Sequence, residues 1–289
     1  MGNTVSTHRL GILYVTVASL AWSTGGLFAR YSTTDLATTM FWRSLFAFLG
    51  LLAVLVLFQG VAGLVSFRRL GRPGLITVIL TSVASFVTVP ALQLTSVAHV
   101  MVIYATAPFL AGGMAWIFFG QRPGRVDVIA SFVALSGAVI MIGLSSEGGP
   151  WGDLLSLVMA LCMSGIMVMF HQYPTVPSLP TVISAFGVAT LACLFLLQDF
   201  AIPYNQLPIL AAFGVVSSAL GAMFFLLGSR LLRPVETALL GALETPMAPL
   251  WVWALFGETP GMATVIGGSL VMAAVLLHIW AGARQPTPA

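Results

Sequence analysis

Ten runs of about 20 apolar residues, each closed by glycine, proline, polar or arginine clusters, leave this chain few ways to fold. They lie near Leu10–Phe28, Leu36–Leu57, Gly74–Leu94, Ala98–Phe119, Val126–Leu144, Gly152–Phe170, Leu179–Leu197, Pro208–Leu232, Val235–Phe256 and Met262–Trp280. In hydrocarbon the backbone must satisfy its own polar groups, so runs of this length read as spanning helices. Composition agrees: 59% of residues are hydrophobic and 7% charged, with mean hydropathy +1.04, too little charge to clothe a soluble domain. The loops are all short and leave no room for an extramembrane domain.

The fourth and ninth runs repeat each other. At an offset of 137 residues Trp253, Phe256, Gly257, Pro260 and Gly261 fall on Trp116, Phe119, Gly120, Pro123 and Gly124. At an offset of 141, Gly152, Leu154, Val158, Leu161 and Ser164 fall on Gly11, Leu13, Val17, Leu20 and Ser23. Arg9 ahead of an apolar run could also open a signal peptide, but an internal copy of that run makes it part of the fold. An odd number of helices per repeat inserts the second copy upside down. The expected fold is therefore all-α and integral to the membrane, with ten transmembrane helices as two inverted-topology five-helix repeats around a central cavity. The halves are residues 1–147 and 148–289, the second ending in a short cytoplasmic tail.

Orientation follows from arginine, because the chain has no lysine. With the N-terminus inside, Arg9, Arg68, Arg69, Arg72, Arg122, Arg125, Arg230, Arg233 and Arg284 all face the cytoplasm and Arg30 is the outer exception. Both termini are predicted to be cytoplasmic, in a multi-pass protein of the cell inner membrane.

Polar residues inside the spans nominate the site. Glu244 is a carboxylate in hydrocarbon and needs a partner or a wet cavity. Pro246 and Pro249 should free the carbonyls of Ala242 and Thr245 beside it. Arg43 lies roughly 12 Å below the outer surface, either snorkelling outward or facing Glu244 or an anionic substrate group. Trp22 and Ser23 lie in the first run, where Ser19, Ser23 and Gly26 form either a cavity wall or a tight helix contact. Gln93 and Pro90 close the third run; His99, Tyr104 and Pro108 open the fourth, with Tyr104 the better lining residue. Met163 belongs to a side of the sixth run with Met159, Met167 and Phe170, which is either core or an adaptable binding surface. Pro90, Pro108, Pro246 and Pro249 are the hinge or gate candidates. Gly214, Gly221 and Gly228, spaced by sevens, read as a close helix contact. The fifth and tenth runs read as uncharged, peripheral packing elements.

Several chemistries are excluded. Without lysine there is no Walker A motif, and neither HExxH nor GxSxG occurs. Histidines 8, 99, 171 and 278 are scattered along the chain and suggest no metal site, and Cys162 and Cys193 read as buried thiols. No catalytic residue, cofactor or nucleic-acid partner is expected.

At LAWSTGG, FWRSLFAF, ALQLTSVAHVMVIYATAPF and ALETPMAPLWVWALFGETPG the chain resembles the drug/metabolite transporter superfamily, in its ten-helix EamA-type branch. It departs from the pattern at Gln121, where the second half keeps Glu258. The resemblance implies a proton- or gradient-driven carrier, most often an exporter of amino acids or related metabolites. The expectation is a secondary-active exporter of amino acids, aromatic or otherwise neutral, working by alternating access. Its partners would be the small-molecule substrate, membrane lipid and protons, and it would be a monomer or weak homodimer. A passive metabolite channel and a membrane enzyme or scaffold are the alternatives.

Overall fold

The computed structural model describes residues 2–95, 100, 103–142, 149–197, 200, 202–257 and 261–284, and those residues form helices and turns without a strand. In chain order the helices are α1 (Gly2–Ser23), α2 (Gly25–Tyr31), α3 (Leu36–Gln59), α4 (Gly71–Leu94), α5 (Ala107–Phe119) and α6 (Arg125–Ile142). They continue with α7 (Pro150–Gln172), α8 (Ser178–Leu194), α9 (Leu207–Ser229), α10 (Pro234–Gly241), α11 (Glu244–Phe256) and α12 (Met262–Arg284). A 3-10 turn, Val61–Arg69, joins α3 to α4, and α9 widens into a π-helix over Phe213–Leu220.

Local chemistry sets the ends. Asp35 caps α3, its carboxylate accepting the Thr38 N–H at 3.0 Å. The Thr38 side chain and backbone hold that carboxyl below its usual range, so the cap stabilises the fold above about pH 4 and weakens as pH falls. Asp35→Ala should cost about 1 kcal/mol in thermal unfolding near neutral pH, and the difference from the parent should shrink in acid. Gly120 and Gly257 close α5 and α11 with φ of 70° and 68°, the left-handed conformation that glycine adopts without strain. These two caps are partners at the 137 offset.

Five described helices are long and apolar enough to cross a membrane: Leu36–Gln59, Gly71–Thr88, Pro150–Gln172, Leu207–Ser229 and Pro234–Leu255. Ala107–Phe119, Ser178–Leu194 and Val265–Ala281 are apolar but shorter. Some predicted runs are interrupted rather than continuous. The first run breaks at Thr24, the fourth at residues 105–106 and the ninth at residues 242–243. The last two breaks coincide at the 137 offset.

Packing follows pairs. α6 lies along α12, α4 along α7, α1 along α9 and α3 along α8, while α5 meets α10. Exchanging each predicted run with the one five places along returns this same set of pairs. One large apolar cluster draws on α1, α3, α4, α5, α7, α8, α9, α10 and α12, with Leu51, Ile166, Met167, Phe170, Phe225 and Leu240 almost fully enclosed.

The small-residue contact expected in the eighth run is present. A Cβ added at Gly214 would lie 2.5 Å from the Arg43 carbonyl, and one at Gly228 2.4 Å from Val15 Cγ2. The fifth and tenth runs differ from expectation. Asp127 and His278, each 3% exposed, lie within them, so these helices enclose charge-bearing groups as well as packing against each other.

Candidate functional site

The two interrupted helices build the site. Tyr104 immediately precedes the first break, and Glu244 immediately follows the second. The prolines do not kink continuous helices as expected. Pro108 is in the first turn of α5 and Pro246 in the first turn of α11, where a helix start tolerates the missing N–H. The carbonyl of Ala242 is also not freed, because it accepts the Thr245 N–H at 3.1 Å in a tightened turn. The irregularity at this depth is the break itself, two residues of turn between half-helices. Pro249 lies farther along α11, and Pro90 lies inside α4 near its end.

Side chains of α1 hold the second break in place. Ser19 donates to the Leu240 carbonyl at 3.0 Å, just ahead of the break, as well as to Val15 in its own helix. Ser23 accepts the indole N–H of Trp251 at 2.8 Å. Ser164 of α7 donates to the Ala160 carbonyl of its own helix at 2.7 Å and lies 3.2 Å from the Ala107 carbonyl just past the first break. Ser19 and Ser23 of α1 thus both bind the ninth run, a helix contact at these two positions.

Glu244 is half-buried, and among the described residues it joins no ion pair. Tyr104 is 7% exposed, and its hydroxyl lies against Gly241, three residues ahead of Glu244. A Cβ added at Gly241 would lie 3.9 Å from the Tyr104 hydroxyl and 3.8 Å from Phe225 Cε2. Phe225 in turn lies 4.7 Å from the Trp22 ring, whose indole rests on Gly221. Tyr104, Phe225 and Trp22 thus form an aromatic run beside one carboxylate. Met163 is partly buried against the same cluster, whereas Met159, Met167 and Phe170 are core.

The EamA-like transporter family matches residues 9–143 and, a second time, residues 150–280. This chain belongs to that family. As an EamA-like transporter it is a membrane transport protein, which its long apolar helices accommodate. A riboflavin transporter from Rhizobium johnstonii (strain DSM 114642 / LMG 32736 / 3841) is 25% identical over 278 residues, covering 92% of this chain and 90% of that protein. A solved crystal structure is similar with a TM-score of 0.78 and 19% identity, covering 95% of this chain and 98% of its own, a likeness of fold alone.

Other expected site residues of this EamA-like transporter lie elsewhere. Among the described residues no ion pair joins Arg43 to Glu244. Its guanidinium sits 5.2 Å from the Phe213 ring centroid, and its Nε is buried without a hydrogen-bond partner among the described residues. His99 and the side chain of Gln93 lie outside the described residues. A crevice of about 400 Å³ runs along the first break, lined by Ile103, Thr106, Asp153, Leu154 and Leu157.

Two features escaped sequence reasoning. The π-helix at Phe213–Leu220 places Phe213 between Arg43 and Phe28, whose ring stacks on it at 5.7 Å. Wide turns of this kind gather at functional sites, but nothing in FGVVSSAL distinguishes it from an ordinary helix. The second is Phe225, an aromatic among many in the sequence that becomes a site residue only through Trp22 and Gly241.

Proposed function

We propose that this protein is a secondary-active carrier that exports a small metabolite across the inner membrane by alternating access, with an amino acid carrying an apolar or aromatic side chain as substrate. The carrying observation is the juxtaposition of Tyr104 and Glu244 at two helix breaks that coincide at the repeat offset. Discontinuous helices meeting at midplane are how carriers of inverted repeats expose backbone and charge to a substrate. In this reading residues 1–147 and 148–289 are two five-helix units of opposite topology, both termini are cytoplasmic, and the exchange of packing partners between runs supports the pairing.

Each group has a role. Glu244 binds the substrate ammonium or exchanges a proton for it, and Tyr104 offers a hydroxyl at the same depth. Trp22, Phe225 and Met163 provide the apolar wall, where aromatic faces also attract a cation. Arg43, whose Nε has no partner among the described residues, draws a carboxylate. Pro108 and Pro246 fix where each half-helix begins, and Pro90 and Pro249 are further hinge or gate candidates.

A second reading takes a flavin as substrate. It is favoured by the riboflavin transporter relative and by the flat aromatic wall, which suits a fused ring as well as an amino-acid side chain. Counterflow in proteoliposomes preloaded with unlabelled substrate separates the possibilities. Labelled phenylalanine should accumulate transiently and saturably, and unlabelled aromatic amino acids should compete. Accumulation of labelled riboflavin alone would transfer the site to the second reading. Flux that rises linearly with concentration, without counterflow, would make the protein a channel.

A further inference from the structure

Basic groups near the helix ends of this molecule find acceptors. Arg233 lies 3.2 Å from Asp127 Oδ1, which is also 3.6 Å from His278 Nδ1. His8 Nε2 meets Glu236 Oε1 at 2.8 Å, and Arg230 donates to Ser178 Oγ at 3.1 Å and to the Pro174 carbonyl. Arg43 is placed differently. It lies two turns into α3, roughly 12 Å along the axis from the Asp35 cap. Among the described residues no ion pair reaches its guanidinium, and Nε is enclosed without a hydrogen-bond partner. The Phe213 ring, 5.2 Å away, attracts the charge, but a ring face cannot accept five N–H groups. Nor do the neighbouring elements supply an acid. α3 packs chiefly on α8, α9 and the Val61–Arg69 turn, and neither these nor α3 itself contains an aspartate or glutamate. Asp35, just ahead of α3, is taken up by the Thr38 N–H.

A guanidinium inside a membrane span is costly unless an anion accompanies it. Arg43 is half-buried as a residue, and Nε is the only one of its nitrogens both sealed and unpartnered among the described residues, so the terminal fork is open to a solute. We propose that Arg43 is the centre of a carboxylate-binding site separate from Glu244, its fork holding the carboxylate through two parallel N–H donors while the Phe213 ring holds the guanidinium. The π-helix keeps Phe213 in place. Gly214 brings α9 so close to α3 that a Cβ there would lie 2.5 Å from the Arg43 carbonyl. Ser218 Oγ donates to the Phe213 carbonyl at 3.3 Å, and Phe28 stacks on the Phe213 ring at 5.7 Å. Lipid phosphates stay at the surface, roughly 12 Å above Arg43 by its place in the helix, so the occupant is a solute. The carboxylate is then the group a ligand must carry, and an acid without an amine binds as well. That this solute is the transported one rests on the carrier reading; the anion site does not.

Thermal unfolding of the purified full chain in detergent reads binding without transport. Phenylpropionate, a carboxylate without an amine, should raise the midpoint saturably. Arg43→Gln should weaken its apparent affinity by about tenfold or more, and Arg43→Lys, which keeps the charge but loses the fork, should recover part of it. Any response to phenethylamine, an amine without a carboxylate, should be the same in the parent and in Arg43→Gln. Without ligand, Arg43→Gln should melt close to the parent or above it, because it removes a charge that no side chain neutralises. A variant that fails to fold, or melts well below the parent, would mean that the guanidinium has a structural partner and would overturn the proposal. So would a phenylpropionate shift that is absent from the parent or unchanged in Arg43→Gln. An Arg43-dependent shift given by phosphatidylglycerol or inorganic phosphate, but not by phenylpropionate, would overturn it too. Absence of counterflow with the Arg43-dependent shift intact would sink the carrier reading and leave the carboxylate site standing, whereas counterflow without that shift would remove the carboxylate site alone.

Discussion

Glu244→Gln is expected to raise the substrate concentration for half-maximal counterflow by about tenfold to a hundredfold, while the protein still folds. The first part follows from losing a charge-assisted contact to an ammonium, worth about 1.5 to 3 kcal/mol. The second follows from the site itself: no ion pair among the described residues depends on Glu244, and glutamine has nearly the same shape. A neutral amide also removes the burden of placing charge at that depth, so unfolding should not become easier. If Glu244 exchanges protons instead of binding the ammonium, the variant loses the pH dependence of flux rather than affinity. Measuring counterflow against concentration at several pH values separates these outcomes. Flux unchanged in both respects would remove Glu244 from the mechanism.

The breaks that create this site were half legible. Pro108, Pro246 and the Gly120 and Gly257 stops announce that the fourth and ninth runs are irregular, because proline and glycine act through the local backbone. Where the irregularity falls depends on neighbours. Ser19 and Ser164 reach from other helices to the carbonyls of Leu240 and Ala107, more than 50 residues away in sequence, contacts that no single segment announces. The same distinction explains the rest. Spanning runs and their repeat are readable because hydrocarbon imposes a length and a composition on each segment separately. The pairing of Asp127 with His278, or of Glu236 with His8, joins segments that composition treats one at a time. Reading the fifth and tenth runs as uncharged overlooked an acid at one helix start and a histidine near the other's end, each unremarkable alone. Arg43 is a further case: its depth left open an outward reach, Glu244 or an anionic group as partner, and only the fold shows that α3 presents it to Phe213.

Gly214→Leu should destabilise the protein more than any substitution beside Tyr104 and Glu244, because its obstacle is main chain. A Cβ there would lie 2.5 Å from the Arg43 carbonyl, 2.8 Å from Phe46 Cβ and 3.0 Å from the Ala47 nitrogen, so α3 itself would have to move away from α9. Overpacking of this kind costs about 1 to 3 kcal/mol where neighbours can adjust, and two helix backbones adjust poorly. The loss should appear as a lower thermal midpoint and a broadened size-exclusion peak in detergent. Gly221→Ala provides the contrast. Its Cβ would lie 2.4 Å from Trp22 Cδ1, but an indole can turn aside where a carbonyl cannot. That variant should keep most of its stability and lose affinity, since moving Trp22 disturbs its contact with Phe225. A Gly214→Leu protein that melts with the parent would mean that α3 and α9 are not in close backbone contact. A Gly221→Ala protein with unchanged affinity would take Trp22 out of the substrate wall.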